Sequence, residues 1–175
     1  MRNNQILNLV GTVEHRSDAP ALQRAPGNAV LIERGRPRIF LLSCPCGCGE
    51  EIPINLDPRS GPAWRLYRNA RIGISLYPSV WRKSGCKSHF IIWNGKIYLF
   101  GQYDDVWEDA EDETTATIED LVFNKLPVRG LVYYSDIADS LGAVPWDVLH
   151  ACHRLVKKKI AYEGINKQRA MFGRN

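Results

Sequence analysis

The chain has 175 residues, 45% hydrophobic and 24% charged, the balance of a folded globular protein. No apolar run approaches the ~18 residues of a membrane span, and the N-terminal stretch has no apolar region long enough for a secretory signal. A cytoplasmic location without membrane contact is expected, in one medium domain or two small ones.

The net charge of +4 is unevenly spread. Residues 1–100 hold 14 Lys/Arg against 6 Asp/Glu, residues 101–115 hold seven acids and no base, and residues 116–175 hold nine bases against six acids. The acidic segment reads as a solvated linker, or as a flap competing with an anionic partner for a basic surface. The expected organisation is a β domain at 1–103, an acidic linker at 104–115 and a helical domain at 116–175.

In chain order, residues 1–28 are irregular, with one short strand at 6–10. "AVLIE" and "RIFLLS" are β-rich and joined by "RGRP", the signature of a hairpin. The second strand runs into "SCPCGCGEEI", and "EIPINL" alternates like a strand. Residues 72–77 predict a strand stopped by Pro78. "HFIIWNGKIYLFG" places two apolar runs around Asn94 and Gly95, the favoured pair for a two-residue turn.

Beyond the acidic segment the period becomes helical. Ile118, Leu121, Val122 and Leu126 share one face. A short helix follows, with Ser135 as N-cap and Gly142 as stop. A longer basic helix has Pro145 in its first turn and an apolar stripe of Val148, Leu149, Cys152, Leu155, Val156 and Ile160. A hairpin turning at Glu163 and Gly164 closes the chain. This order is that of a winged helix. The fold class expected is therefore α+β: a small antiparallel β domain, pinned by the zinc site that its cysteines suggest below, then a helical winged-helix-like domain.

Three of the five cysteines fall at alternate positions, Cys44, Cys46 and Cys48. In a reducing compartment such a cluster reads as metal-binding or catalytic before it reads as disulfides. Its partner is "GCKSHF", with Cys86 and His89. Thiolate and imidazole are the ligands Zn2+ prefers, but five candidates compete for four tetrahedral places. A surplus thiol beside a metal is either a structural cysteine or an activated nucleophile. A catalytic zinc would need three protein ligands, an open position and a base, for which Glu50 or Glu51 is placed. Ser79 and Ser88, near the second pair, fit a nucleophile, an oxyanion donor or a hydrogen bond to a ligand. Cys152 fits core packing.

Cys44, Cys46, Cys48, Trp64, Pro78, Ser79, Cys86, Ser88, His89, Phe90 and Gly95 together follow an ordered pattern over residues 29–101. In this the chain resembles a family of bacterial zinc-binding domains encoded beside ubiquitin-like conjugation systems. The resemblance implies a zinc-containing β domain that processes or removes a ubiquitin-like protein as a peptidase, with that protein or its conjugation enzymes as partners. By position, Ser79 or Ser88, with Glu50, are the catalytic candidates around the metal.

An exposed strand edge at 96–100 would hold an extended substrate by strand addition. The competing reading is non-enzymatic: a zinc-plus-winged-helix module binding nucleic acid or protein. For DNA, Arg154, Lys157, Lys158, Lys167 and Arg169 would contact phosphate, with Trp146 and His150 at the base-reading positions. A metal-stabilised scaffold is the third reading.

Overall fold

The structure is a computed structural model that describes residues 5–19, 25–100 and 113–175. The chain divides into two compact units, Met1–Asp104 and Asp105–Asn175. The acidic segment lies almost wholly outside the described residues, so its expected role as linker or flap stands as an expectation.

Among the described residues the first unit has nine strands: β1 (Gln5–Ile6), β2 (Asn8–Val13), β3 (Asn28–Glu33), β4 (Pro37–Ser43), β5 (Glu51–Asn55), β6 (Arg65–Asn69), β7 (Gly73–Trp81), β8 (His89–Trp93) and β9 (Lys96–Leu99). They form a four-stranded sheet, β2-β3-β4-β5, and a five-stranded sheet, β1-β9-β8-β7-β6. Pairing is antiparallel except between β2 and β3, which run parallel. Alternation along the strands sends one face of each sheet inward. Leu31, Phe40, Leu42 and Ile54 thus meet Leu76, Val80, Phe90, Ile92, Ile97 and Leu99 in one core cluster. Burying each of these large side chains contributes about 1.5–3 kcal/mol. Asn94 and Gly95 both have positive φ, 52° and 71°, as the type I′ turn between β8 and β9 requires.

Two expectations fail here for local reasons. The strand through residues 72–77 does not stop at Pro78 but continues to Trp81. A bulge absorbs the proline: Tyr77, Pro78 and Ser79 face Ile91 alone, between the pairs Leu76↔Ile92 and Val80↔Phe90. A strand tolerates proline where the ladder is already interrupted. The 96–100 edge is partly taken, because β1 pairs with Lys96 and Ile97.

The second unit contains α1 (Glu113–Lys125), β10 (Val132–Tyr133), α2 (Tyr134–Leu141), α3 (Pro145–Lys157), β11 (Ala161–Glu163) and β12 (Met171–Arg174). Its strands form a small antiparallel sheet in the order β10-β12-β11. The whole is thus mixed α+β, with sheets first and helices after. Helix α2 starts one residue before Ser135, and Tyr133 caps it without a side-chain bond. Gly142 ends it in the left-handed conformation (φ 62°). The α3 stripe is buried at Val148, Leu149, Cys152 and Leu155; Ile160 lies past the helix end and is exposed. The last hairpin does not turn tightly at Glu163 and Gly164, because β12 begins only at Met171.

Candidate active site and thiol centre

Two hairpins, one from each sheet, bring their connecting loops together. Ser43↔Glu51 is the last pair of the β4/β5 hairpin, and Trp81↔His89 is the last pair of β7/β8. The loops between them, residues 44–50 and 82–88, close in the same way. The Cys44 N–H donates to the Glu50 carbonyl (2.8 Å) and the Arg82 N–H to the Ser88 carbonyl (3.0 Å). The first loop carries Cys44, Cys46 and Cys48; the second carries Cys86.

The four sulfurs lie within 4.8 Å of one another. Cys44 Sγ is 3.3 Å from Cys46 Sγ and 3.6 Å from Cys86 Sγ. A tetrahedral zinc with Zn–S bonds of about 2.3 Å needs sulfurs roughly 3.8 Å apart, so the donor set fits such an ion closely. The four thiols do not ionise alike. Burial, then the hydrogen bond with Cys44, pushes the Cys46 thiol up to about 12. Burial also raises Cys86, but hydrogen bonds from the Ser88 hydroxyl and amide, with those of Cys46 and Cys44, outweigh it and bring that thiol down to about 6. Four thiolates this close ionise together only around a positive ion. These four cysteines could hold a metal ion.

The groups around the sulfurs are polar and specific. Ser88 Oγ lies 3.4 Å from Cys44 Sγ and 3.2 Å from Cys86 Sγ. Arg82 Nη1 donates to Cys86 Sγ (3.1 Å) and forms an ion pair with Glu50. The Arg82 hydrogen bond to Glu50, and then the guanidinium charge, hold the Glu50 carboxyl below the usual range. Gly85 is needed where it stands: its φ is +66°, and a Cβ there would lie 2.9 Å from Glu50 Oε2.

His89 is not among the clustered ligand atoms. Its Nε2 lies 3.0 Å from Ser79 Oγ, which corrects its expected place beside the cysteines. The reason is strand parity. Val80 and Phe90 point into the core, so Ser79, Trp81 and His89 share the opposite face. The bulge lifts Ser79 toward the imidazole, and Trp64 Nε1 donates to the Ser79 carbonyl (3.3 Å). The His89 ring lies in a cross-strand row of aromatics, 5.6 Å from Trp81 and 4.1 Å from Phe100 between centroids. Burial lowers its pKa below the ordinary value, so the ring is neutral at pH 7 and can accept a proton. A hydroxyl within hydrogen-bond reach of a neutral imidazole is the arrangement that activates a serine nucleophile.

The three residues first assigned to catalysis therefore separate. Ser79 faces His89, Ser88 faces two sulfurs, and the partners of Glu50 are Arg82 and Cys48. Sequence reading missed both the pairing of Ser79 with His89 and the part of Arg82. The signal for the first was present: a hairpin with Trp81 opposite His89 puts residue 79 on the histidine's face. It was hidden by reading Pro78 as a strand end.

In the second unit the basic candidates divide. Arg154 and Lys158 both form ion pairs with Glu119, which is buried. Lys157, Lys167 and Arg169 are exposed. Trp146 and His150 are buried, at 6% and 3% exposure, which corrects their expected place as base readers.

Residues 15–100 match the model of a family described as the bacterial ubiquitination-like system serine protease, BubE. The match implies a protease domain of such a system, with a ubiquitin-like protein as partner. No curated protein and no solved structure matches the chain. Among the described residues no helix is long and apolar enough to cross a membrane.

Proposed function

We propose that the first unit is a serine protease that processes or removes a ubiquitin-like protein, with Ser79 as nucleophile and His89 as general base. The carrying observation is the 3.0 Å contact between Ser79 Oγ and His89 Nε2. As Ser79 Oγ bonds to the scissile carbonyl carbon, its proton passes to Nε2. The proton then goes to the leaving amine as the C–N bond breaks, and water releases the acyl group by the same route.

In this reading Cys44, Cys46, Cys48 and Cys86 hold one zinc ion. Bound there, the ion supplies a cross-link between the two loops and neutralises the thiolates; four sulfur ligands leave no position for substrate. Glu50 and Ser88 then belong to the surroundings of the metal. The test is incubation with a ubiquitin-like precursor, with the products read by mass spectrometry. Cleavage is expected for the native chain and none for Ser79→Ala at unchanged zinc content. Equal cleavage by both would overturn the assignment.

The second unit has the element order of a winged helix, and we read it as a dock for protein. Two observations favour this over DNA binding: the would-be base readers are buried, and two of five candidate phosphate contacts pair with Glu119. A mobility shift of duplex DNA at low salt, where phosphate contacts are strongest, would overturn it.

A further inference from the structure

The loop at residues 82–88 joins the sulfurs directly to the residue that contacts Ser79. Its free-standing part is exposed from Lys83 to Lys87. Few main-chain bonds hold it: the closing bond from Arg82 to Ser88 and one from Lys87 N to the Ser84 carbonyl (3.4 Å). What ties it down is the thiol centre, through Cys86 itself, Arg82 against Glu50 and Cys86, and Ser88 against Cys44 and Cys86. His89 follows Ser88 immediately and sits on the last rung of the hairpin, paired with Trp81. A rung that borders a long exposed loop is held only as well as that loop, and such loops lie at the low-stability end of a fold.

We propose that the thiol centre sets the position of His89 and that Ser88 is the positioning residue carrying this effect. The proposal rests on the reading of Ser79 and His89 as nucleophile and base, and it goes further in making activity depend on a centre that touches no substrate. Ser88 bridges a cysteine from each loop through its side chain while its carbonyl closes the β7/β8 loop. Its main chain is thus fixed from both sides, one bond before the histidine. Hydrogen bonds that orient groups around a metal typically change activity by about 10–100-fold when removed. The core cluster of the two sheets is formed by apolar contacts, so the sandwich has a basis for folding apart from the centre.

The experiment uses the full chain and a fluorophosphonate probe, which labels an activated serine without needing the substrate. Zinc content and far-UV circular dichroism are measured alongside. Labelling of the native chain at Ser79, absent in Ser79→Ala, establishes the reading on which the proposal rests; no labelling at all removes that reading. Given labelling, Ser88→Ala is expected to slow it about tenfold or more with zinc retained, and Ser88→Thr, which keeps the hydroxyl, to restore it.

Chelation is expected to abolish labelling while strand content persists. Cadmium or cobalt should restore labelling as zinc does, cobalt with the absorption of thiolate coordination. NMR of the His89 ring should report an altered environment in the chelated chain. Native-rate labelling by Ser88→Ala, or by a folded chelated chain, would overturn the proposal. Should chelation unfold the protein, the Ser88 pair of variants decides alone.

Discussion

The two units use the same kinds of residue to opposite ends. In the second, Arg154 and Lys158 converge on buried Glu119, and His150 and Trp146 fill the interior. Polar groups there are matched to one another, and the matching serves the fold. In the first, Ser79 and His89 meet on the sheet face away from the core, and three exposed thiols crowd against buried Cys44. A polar group whose arrangement does not serve packing is the better guide to chemistry. This is why the proposed function rests on a single serine and not on the cationic stripe of α3.

That contrast can be broken by mutation. The largest effect expected is from Ser79→Ala, which should lower cleavage of a ubiquitin-like precursor by at least about a thousandfold while the melting temperature stays unchanged. A large loss of stability would instead make Ser79 a structural residue. Next comes pH. Burial lowers the His89 pKa, and the base works only when neutral, so activity should be constant at neutral pH. It should fall about tenfold per unit below a midpoint under the ordinary histidine value. A profile with its midpoint above that value would contradict the desolvated base.

Glu119→Ala should act on stability alone. It leaves Arg154 and Lys158 without their carboxylate, but both are partly exposed (31% and 53%), so the loss should be about 1–3 kcal/mol by denaturant melt, below that of a fully buried pair. Cleavage at a temperature where the variant is folded should be unchanged. The smallest effect belongs to Lys167→Ala combined with Arg169→Ala. Both side chains are exposed, and neither cleavage nor stability should move measurably; a lower kcat/KM would show that the second unit contributes to substrate capture.

The elements themselves were largely legible in the residues. Apolar, β-rich runs marked β3, β4, β8 and β9, alternation marked β5, the Asn94/Gly95 pair marked the tightest turn, and a helical period marked α1 and α3. These are local signals, carried by side chains a few positions apart, and the crowded cysteines were legible for the same reason. Pro78 misled because its local meaning, a strand stop, was overridden by a bulge that depends on the partner strand. Tyr133 in place of Ser135 as cap is a similar case, decided by the β10 strand running straight into α2.

The sequence by itself determined the mixed α+β class, the thiol-rich loop and its second half at Cys86, because these follow from residue type and short spacing. Only the tertiary structure decided which side chains lie together. Four cysteines or three and a histidine, Ser79 or Ser88, Glu50 as base or as partner of Arg82: each choice depends on which face a strand presents and how two hairpin loops meet. Strand parity across β7 and β8 sent His89 to Ser79 and left Ser88 to the sulfurs. One residue of shift in that register would have exchanged their places.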